Sequence, residues 1–243
     1  MEYKDNNVLQ KDLELDRVAF YGRTLSEYLL FYNFTYNDLE KYEKIVDCPA
    51  GASSFTAELN NINQNPNIKV IGCDPLFDRN LEYLKRKGQE DISYIIEKVK
   101  SSTHFYNWNY YKTLENLRKQ RTLALTRFSL DYDRGKNEKR YIKAELPNLP
   151  FDDESFDLVL SGHFLYTYTN CFDFDFHRSS IIELFRISAK EVRIYPIQQR
   201  SSQPYSHTKE LILVLKDPGI KYEILQVPFE FQKGSNKMLR LIR

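Results

Sequence analysis

The chain has 243 residues, 42% hydrophobic and 28% charged, with a formal net charge of +1. This globular balance excludes a disordered or fibrous chain, and the length allows one large domain with room for an insertion. No uncharged apolar run approaches the ~18 residues of a membrane span, the opening MEYKDNNVLQKDLELD is too polar for a signal peptide, and Cys48, Cys73 and Cys171 are too few and scattered for a disulfide framework, which fits a reducing cytoplasm.

Thr24-Leu-Ser-Glu27 reads as a capping box, with a helix from there to about Leu39. Lys44 to Cys48 is a short buried strand. Ala52 to Asn60 reads as a helix with Phe55 and Leu59 on one face, and Lys69 to Cys73 as a second buried strand stopped by Asp74-Pro75. Residues 78–132 are mostly helical, with Leu114, Leu117, Leu125 and Phe128 near helical spacing, and Arg134 to Asn137 reads as a turn. Strands follow at Arg140 to Ala144 and Phe156 to Ser161. A helix over Ser179 to Ile187, with Asp173 or Asp175 able to cap it, leads to a strand at Glu191 to Pro196. A helix from His207 to Leu215 precedes two strands, Tyr222 to Phe231 and Lys237 to Ile242, around the polar turn Gln232 to Asn236. Alternating strands and helices predict an α/β fold with a largely parallel sheet, and the five-residue turn predicts an antiparallel hairpin at its end.

In such a sheet ligands bind beyond the C-terminal ends of the strands. Asp47 ends the first strand and Asp74 the second, 27 residues later. An acid at the second position typically accepts hydrogen bonds from ribose hydroxyls, and is otherwise a helix cap. Between them lies IVDCPAGASSFTAEL, a strand-loop-helix with small residues but only one glycine, Gly51. A pyrophosphate calls for more exposed backbone N–H groups than this, whereas a zwitterionic amino-acid tail needs fewer, with Asp47 placed to receive its ammonium.

The segment ELPNLPFDDESFDLVLSGHFL, Glu145 to Leu165, resembles the class I S-adenosylmethionine-dependent methyltransferases. Leu149, Pro150, Phe151, Asp153, Ser155, Phe156, Asp157 and Val159 match that family's approach to its fourth strand one for one. Asp47, Gly51 and Asp74 match its glycine-loop and ribose motifs, with Pro49 in place of the first glycine and Ser53 in place of the third; Pro fixes φ and has no N–H to give. The resemblance spans about residues 44–78 and 139–243. It implies a Rossmann-like, mostly parallel seven-stranded sheet with an antiparallel last strand and helices on both faces. It also implies S-adenosyl-L-methionine as cofactor and methyl transfer to an acceptor. In that reading Asp47, Pro49, Ala50, Gly51 and Ser53 form the cofactor loop, Asp74 and Pro75 the ribose site, Glu145 and Leu146 the adenine site, and Ser161 and His163 the edge of the fourth strand. His163 is a candidate general base, or a residue meeting the cofactor through its backbone. Arg23 is placed to pair with the methionine carboxylate, or else with Glu27 four residues on. Tyr21 and Tyr28 line the same lid or simply pack. The N-P-P-Y type motif used for exocyclic amines of bases is replaced by SGHF.

The domain plan is therefore one methyltransferase-like unit over 1–243, with an N-terminal helical cap over 1–43 and a helical insertion over 79–138. From Arg79 to Arg140 there are 15 Lys and Arg against 8 Asp and Glu, with Trp108, Tyr106, Tyr110 and Tyr111 interleaved. The insertion reads as a lid over an aromatic substrate pocket, as a nucleic-acid platform, or as an amphipathic helical pair. Its interleaved acids make it a poor polyanion patch and favour a small-molecule acceptor over RNA. A non-catalytic module that binds the cofactor and works through a partner is the other class of reading. The histidine and cysteine spacings match no metal site, and neither a membrane nor an oligomeric state is indicated.

Overall fold

A computed structural model describes residues 15–62, 68–198, 206–216 and 219–243. Residues 1–14 of the 1–43 cap, and with them most of the acidic opening segment, lie outside the described residues. Seven strands run β1 (Lys44–Asp47), β2 (Lys69–Asp74), β3 (Tyr141–Lys143), β4 (Phe156–Gly162), β5 (Ser188–Tyr195), β6 (Lys221–Gln226) and β7 (Lys237–Ile242). They form one sheet in the order β3-β2-β1-β4-β5-β7-β6. The first five pair in parallel, and β7 inserts antiparallel between β5 and β6. The fold is the Rossmann-like one of class I methyltransferases, including the antiparallel last strand.

Alternation along the strands splits the core in two. Ile45, Val70, Leu158 and Leu160 face a cluster built with α1 (Leu25–Phe31), α3 (Phe55–Ile62), α4 (Leu81–Lys100) and α5 (Leu114–Asn137). Val46, Cys73, Val159, Val192 and Ile194 face the other way, against α6 (Phe174–Arg186) and α7 (Thr208–Lys216). Helices thus cover both faces, and both helices between β2 and β3 lie on the α1 side. Cys48 and Cys73 stand side by side at the ends of β1 and β2, both buried.

Several boundaries depart from the sequence expectation; α3 starts at Phe55 rather than Ala52, and β5 at Ser188 rather than Glu191. The helix from Thr24 stops at Phe31 because Asn33 is left-handed (φ 52°), and a second capping box, Thr35 with Asp38, starts the short α2 (Tyr36–Leu39). Arg134 to Asn137 is no turn but the last turn of α5. Gly135 is there for space, since a Cβ on it would lie 2.5 Å from the Tyr141 ring; the left-handed residue that ends the helix is Lys139 (φ 58°). The helix α6 begins at Phe174, five residues early, because Asp173 accepts from the Phe176 amide at 2.8 Å. β6 ends at Gln226 rather than Phe231, so ten residues, 227–236, connect it to β7.

One buried network sets the N-terminal side. Glu27 closes the capping box by accepting from the Thr24 amide at 2.8 Å. The same carboxylate takes the Arg121 guanidinium of α5 on both oxygens and the hydroxyl of Tyr111, while Arg121 also donates to the Gly22 carbonyl at 2.7 Å. Glu27 and Arg121 are both essentially unexposed. Burial alone would raise the Glu27 carboxyl; the Arg121 charge overrides it and holds the pKa low. Upstream, residues 15–23 form a strap. Asp91 of α4, fully buried, accepts from the Phe20 amide at 2.7 Å, from Arg17 and from Lys87. Asn170 donates to the Leu15 carbonyl and the Tyr168 hydroxyl receives the Ala19 amide. Removing one partner of a buried pair leaves an uncompensated charge. Arg121→Ala is therefore expected to cost about 3–5 kcal/mol in urea unfolding, and Glu27→Gln with Arg121→Met together less than the sum of the single changes.

Candidate functional site

The strands' C-terminal ends open into a cleft of about 380 Å³ that runs from Asp74 and Glu145 at one end to Pro196 and Phe229 at the other. This is where an open α/β sheet binds its ligands. The structure brings most of the sequence candidates together along it. Arg23, Pro49, Ala50 and Gly51 line one wall; Asp74, Pro75, Glu145 and Leu146 line the next; His163 lies beyond them on β4's extension. Asp47, Ser53 and Ser161 do not line the cleft; all three are buried behind it.

The loop after β1 takes its shape from the strap. Gly51 has φ +54° and sits against the Tyr21 backbone, 3.1 Å from where a Cβ would meet the Tyr21 carbonyl. Gly22 lies closer still: a Cβ there would overlap the Ala52 carbonyl at 1.9 Å. The Arg23 carbonyl accepts from the Ser54 amide at 3.0 Å and the Ser53 hydroxyl at 3.1 Å. The Ala50 amide bonds to Cys73 O, the Gly51 amide to Asp74 Oδ2, the Ser53 amide to Ala50 O and the Phe55 amide to Ser53 Oγ. Pro49 has no N–H. The amides of Ala50, Gly51, Ser53, Ser54 and Phe55 are thus engaged within the protein, which is unlike the amide nest that cradles a phosphate.

The two strand-end acids have different surroundings. Asp74 accepts from Gly51 and, at 2.9 Å, from the Leu76 amide, and it faces the cleft. Burial pushes its carboxyl up to about 6, against the pull of those two amides, with Glu145 adding to the rise. Asp47 is fully buried; its Oδ2 accepts from the Tyr28 hydroxyl at 2.7 Å and its Oδ1 has no hydrogen-bond partner among the described residues. Burial pushes Asp47 up to about 8, with Asp74 contributing and the Tyr28 bond opposing. Tyr28, its ring stacked on Phe55 at 4.6 Å, does line the cleft. Glu145 is exposed at the mouth.

Arg23 does not pair with Glu27, which Arg121 occupies. Among the described residues it forms no salt bridge; its guanidinium lies 4.9 Å over the Tyr21 ring. Burial, and the Arg121 charge beside it, lower its pKa. His163 is left-handed (φ 54°), its amide donates to the Tyr195 carbonyl at 2.6 Å, and its ring lies edge-on to Phe31 and Tyr195 at 4.9 and 5.1 Å.

The far half of the cleft is aromatic, which the sequence reading did not anticipate. Phe164, Phe172 and Phe176 come from the segment after β4, and Phe229 and Phe231 from the β6–β7 connection. The insertion's aromatics meet them: Tyr106 stacks on Phe231 at 4.5 Å, Tyr111 meets it edge-on at 4.7 Å, and Trp108 at 5.4 Å. These rings pack inward, not on an open platform. The insertion's bases are also largely spoken for, by Asp91, Asp131, Glu58 and Glu27 among others.

The chain is 32% identical over 234 residues, 95% of its length and 99% of the relative's, to the uncharacterized protein MJ0045 of Methanocaldococcus jannaschii. It belongs to that protein's family. No family model matches the chain. Solved structures similar to it include a SAM-dependent methyltransferase from Aquifex aeolicus (16% identity, 89% of this chain and 94% of that one, TM-score 0.40) and magnesium protoporphyrin IX methyltransferase from Synechocystis with bound SAM (13%, 82% and 69%, TM-score 0.42). These are loose likenesses, and the fold rests on the strand order itself. Among the described residues no helix is long and apolar enough to cross a membrane.

The two strand-end acids set a pH dependence. Both pKa values are raised from 3.8, so the folded state keeps protons that the unfolded chain releases. Their stabilising contribution is complete below about pH 4 and is lost as pH rises through about 6 for Asp74 and about 8 for Asp47, by up to about 1.4 kcal/mol per pH unit for each group. Glu27, Asp131 and Glu191 are held low and titrate beneath this window. Urea unfolding of the ligand-free protein is expected to show stability falling from pH 5 to 8, and Asp47→Asn to flatten that slope and exceed wild type at pH 8.

Proposed function

We propose that the protein is an S-adenosylmethionine-dependent methyltransferase acting on a small-molecule acceptor. The observation that carries this is the pairing, on one cleft, of a ribose-type acid at the end of β2 with a guanidinium beside the β1 loop that forms no salt bridge among the described residues. Asp74 has one amide on each oxygen and faces the cleft, leaving lone pairs for two ribose hydroxyls. Glu145 and Leu146, at the end of β3, flank the place for the adenine. Arg23, partly buried and without a carboxylate partner among the described residues, fits the carboxylate of the methionine tail. Asp47 acts from behind the wall, holding the Tyr28 ring through its hydroxyl. A loop most of whose amides are already bonded suits this tail better than a pyrophosphate, which counts against a dinucleotide.

S-adenosylmethionine supplies a methyl group already activated on a sulfonium, so the protein's part is to align the acceptor and keep water out. The strap, the 103–111 segment and Phe229 to Phe231 supply the enclosure. Where the acceptor loses a proton, His163 is the imidazole that lines the cleft to take it. The deeply packed rings and paired bases of the insertion favour a small acceptor over RNA.

Calorimetric titration tests this with S-adenosylhomocysteine, with 5′-methylthioadenosine, which lacks the amino-acid tail, and with NAD. S-adenosylhomocysteine is expected to bind and NAD not. Asp74→Ala is expected to weaken both nucleosides at least tenfold, and Arg23→Met to weaken S-adenosylhomocysteine but not 5′-methylthioadenosine. Binding of NAD alone, or of none of the three to a folded sample, overturns the reading.

A further inference from the structure

We infer that the aromatic half of the cleft takes a planar aromatic small molecule that is neutral or anionic, and that it rejects cationic acceptors. This rests on the reading of the other half as the S-adenosylmethionine site.

The shape argument comes from the rings. Phe164, Phe172, Phe176 and Phe231 line the cleft yet stay only half-buried, so they are not core residues that happen to lie near it. Phe172 and Phe176 are stacked at 4.1 Å and 13°, and present a continuous edge to the cleft. Phe231 is held in place by Tyr106 on its face and by Tyr111 and Trp108 at its edges. Rings fixed in this way accept another ring by offset stacking or edge-to-face contact, with a gain beyond the buried area. An aliphatic acceptor of equal size forgoes that part.

The charge argument comes from what is missing beside them. The cleft-lining carboxylates among the described residues are Asp74 and Glu145, and both stand at the β2–β3 end. Around the rings the lining polar groups are Thr167, Gln232, Ser235, the hydroxyls of Tyr106, Tyr111 and Tyr168 and the His163 imidazole, none of them a carboxylate. The lining cations Lys87 and Arg121 already have Asp91 and Glu27 as partners. Aromatic walls by themselves attract cations. Here a cationic acceptor would be buried beside the sulfonium with no cleft-lining carboxylate among the described residues near the rings to offset its desolvation or that repulsion. A phenol, a carboxylate or an uncharged heteroaromatic nucleophile meets no such cost, and an anion gains from the sulfonium.

The test uses 2-naphthol, 2-naphthoate and 2-naphthylmethylammonium, titrated by calorimetry into the full chain saturated with S-adenosylhomocysteine. Naphthol or naphthoate is expected to bind at least tenfold more tightly than the ammonium. Phe172→Leu and Phe231→Leu, which keep apolar bulk but remove the ring, are expected to weaken that probe roughly tenfold with S-adenosylhomocysteine affinity unchanged. Preference for the ammonium, no binding of any probe to the loaded protein, displacement of the probe by a single-stranded RNA oligonucleotide, or ring removal without effect overturns this inference and leaves the cofactor reading standing. Failure of S-adenosylhomocysteine itself to bind overturns both.

Discussion

The contact between Glu27 and Arg121 is the constraint on which the site depends. Two charges taken fully out of water are costly to bury and hold only with near-complete hydrogen bonding. Glu27 is satisfied by Thr24, Arg121 and Tyr111, and Arg121 reaches on to the Gly22 carbonyl. One carboxylate therefore starts α1, anchors α5 and places Tyr111 against Phe229 and Phe231. It also fixes Gly22, and so the strap that presses on the loop after β1. An apolar pair could match the stability, but it would not specify these four attachments at once.

That strap explains how the loop works with one central glycine. In a glycine-rich loop the backbone is free to turn its amides to a phosphate. Here the turn is held from outside: Tyr21 and Gly22 lie on it, the Arg23 carbonyl collects Ser53 and Ser54, and Asp74 holds Gly51. Pro49 gives up an N–H that the arrangement does not use, and Ser53 contributes a hydroxyl where glycine has nothing. In the proposed function, recognition passes from the loop's backbone to the side chains around it, Arg23 and Asp74 above all.

The sheet was legible because its signals are local. Short apolar runs ending in Asp47 and Asp74, the Leu149 to Val159 segment and the terminal pair of strands were enough for the strand types and the antiparallel β7. Gly135 misled because a glycine that makes room for Tyr141 looks, in sequence, like one that makes a turn. Asn33 gave no warning, since nothing nearby in the sequence marks it as left-handed. Arg121 could not be matched to Glu27 from a distance of 94 residues; the nearer Arg23 looked the better partner, and the structure leaves Arg23 free of any salt bridge among the described residues. The aromatic half of the cleft was hidden for a similar reason. Phe229 and Phe231 continue the apolar rhythm of β6, and only the tertiary fold shows that the strand has already ended.

The strand order has a consequence for synthesis. β7 lies between β5 and β6, so β6 emerges from the ribosome before the neighbour it pairs with exists. The parallel strands and both insertion helices can assemble while 227–236 still lacks a frame to lie against. Phe229 and Phe231, packed on Tyr106 and Tyr111, lie in the connection between β6 and β7, and β7 is what joins that hairpin to β5. The half of the cleft proposed to meet the acceptor thus depends on the last strands to be synthesised.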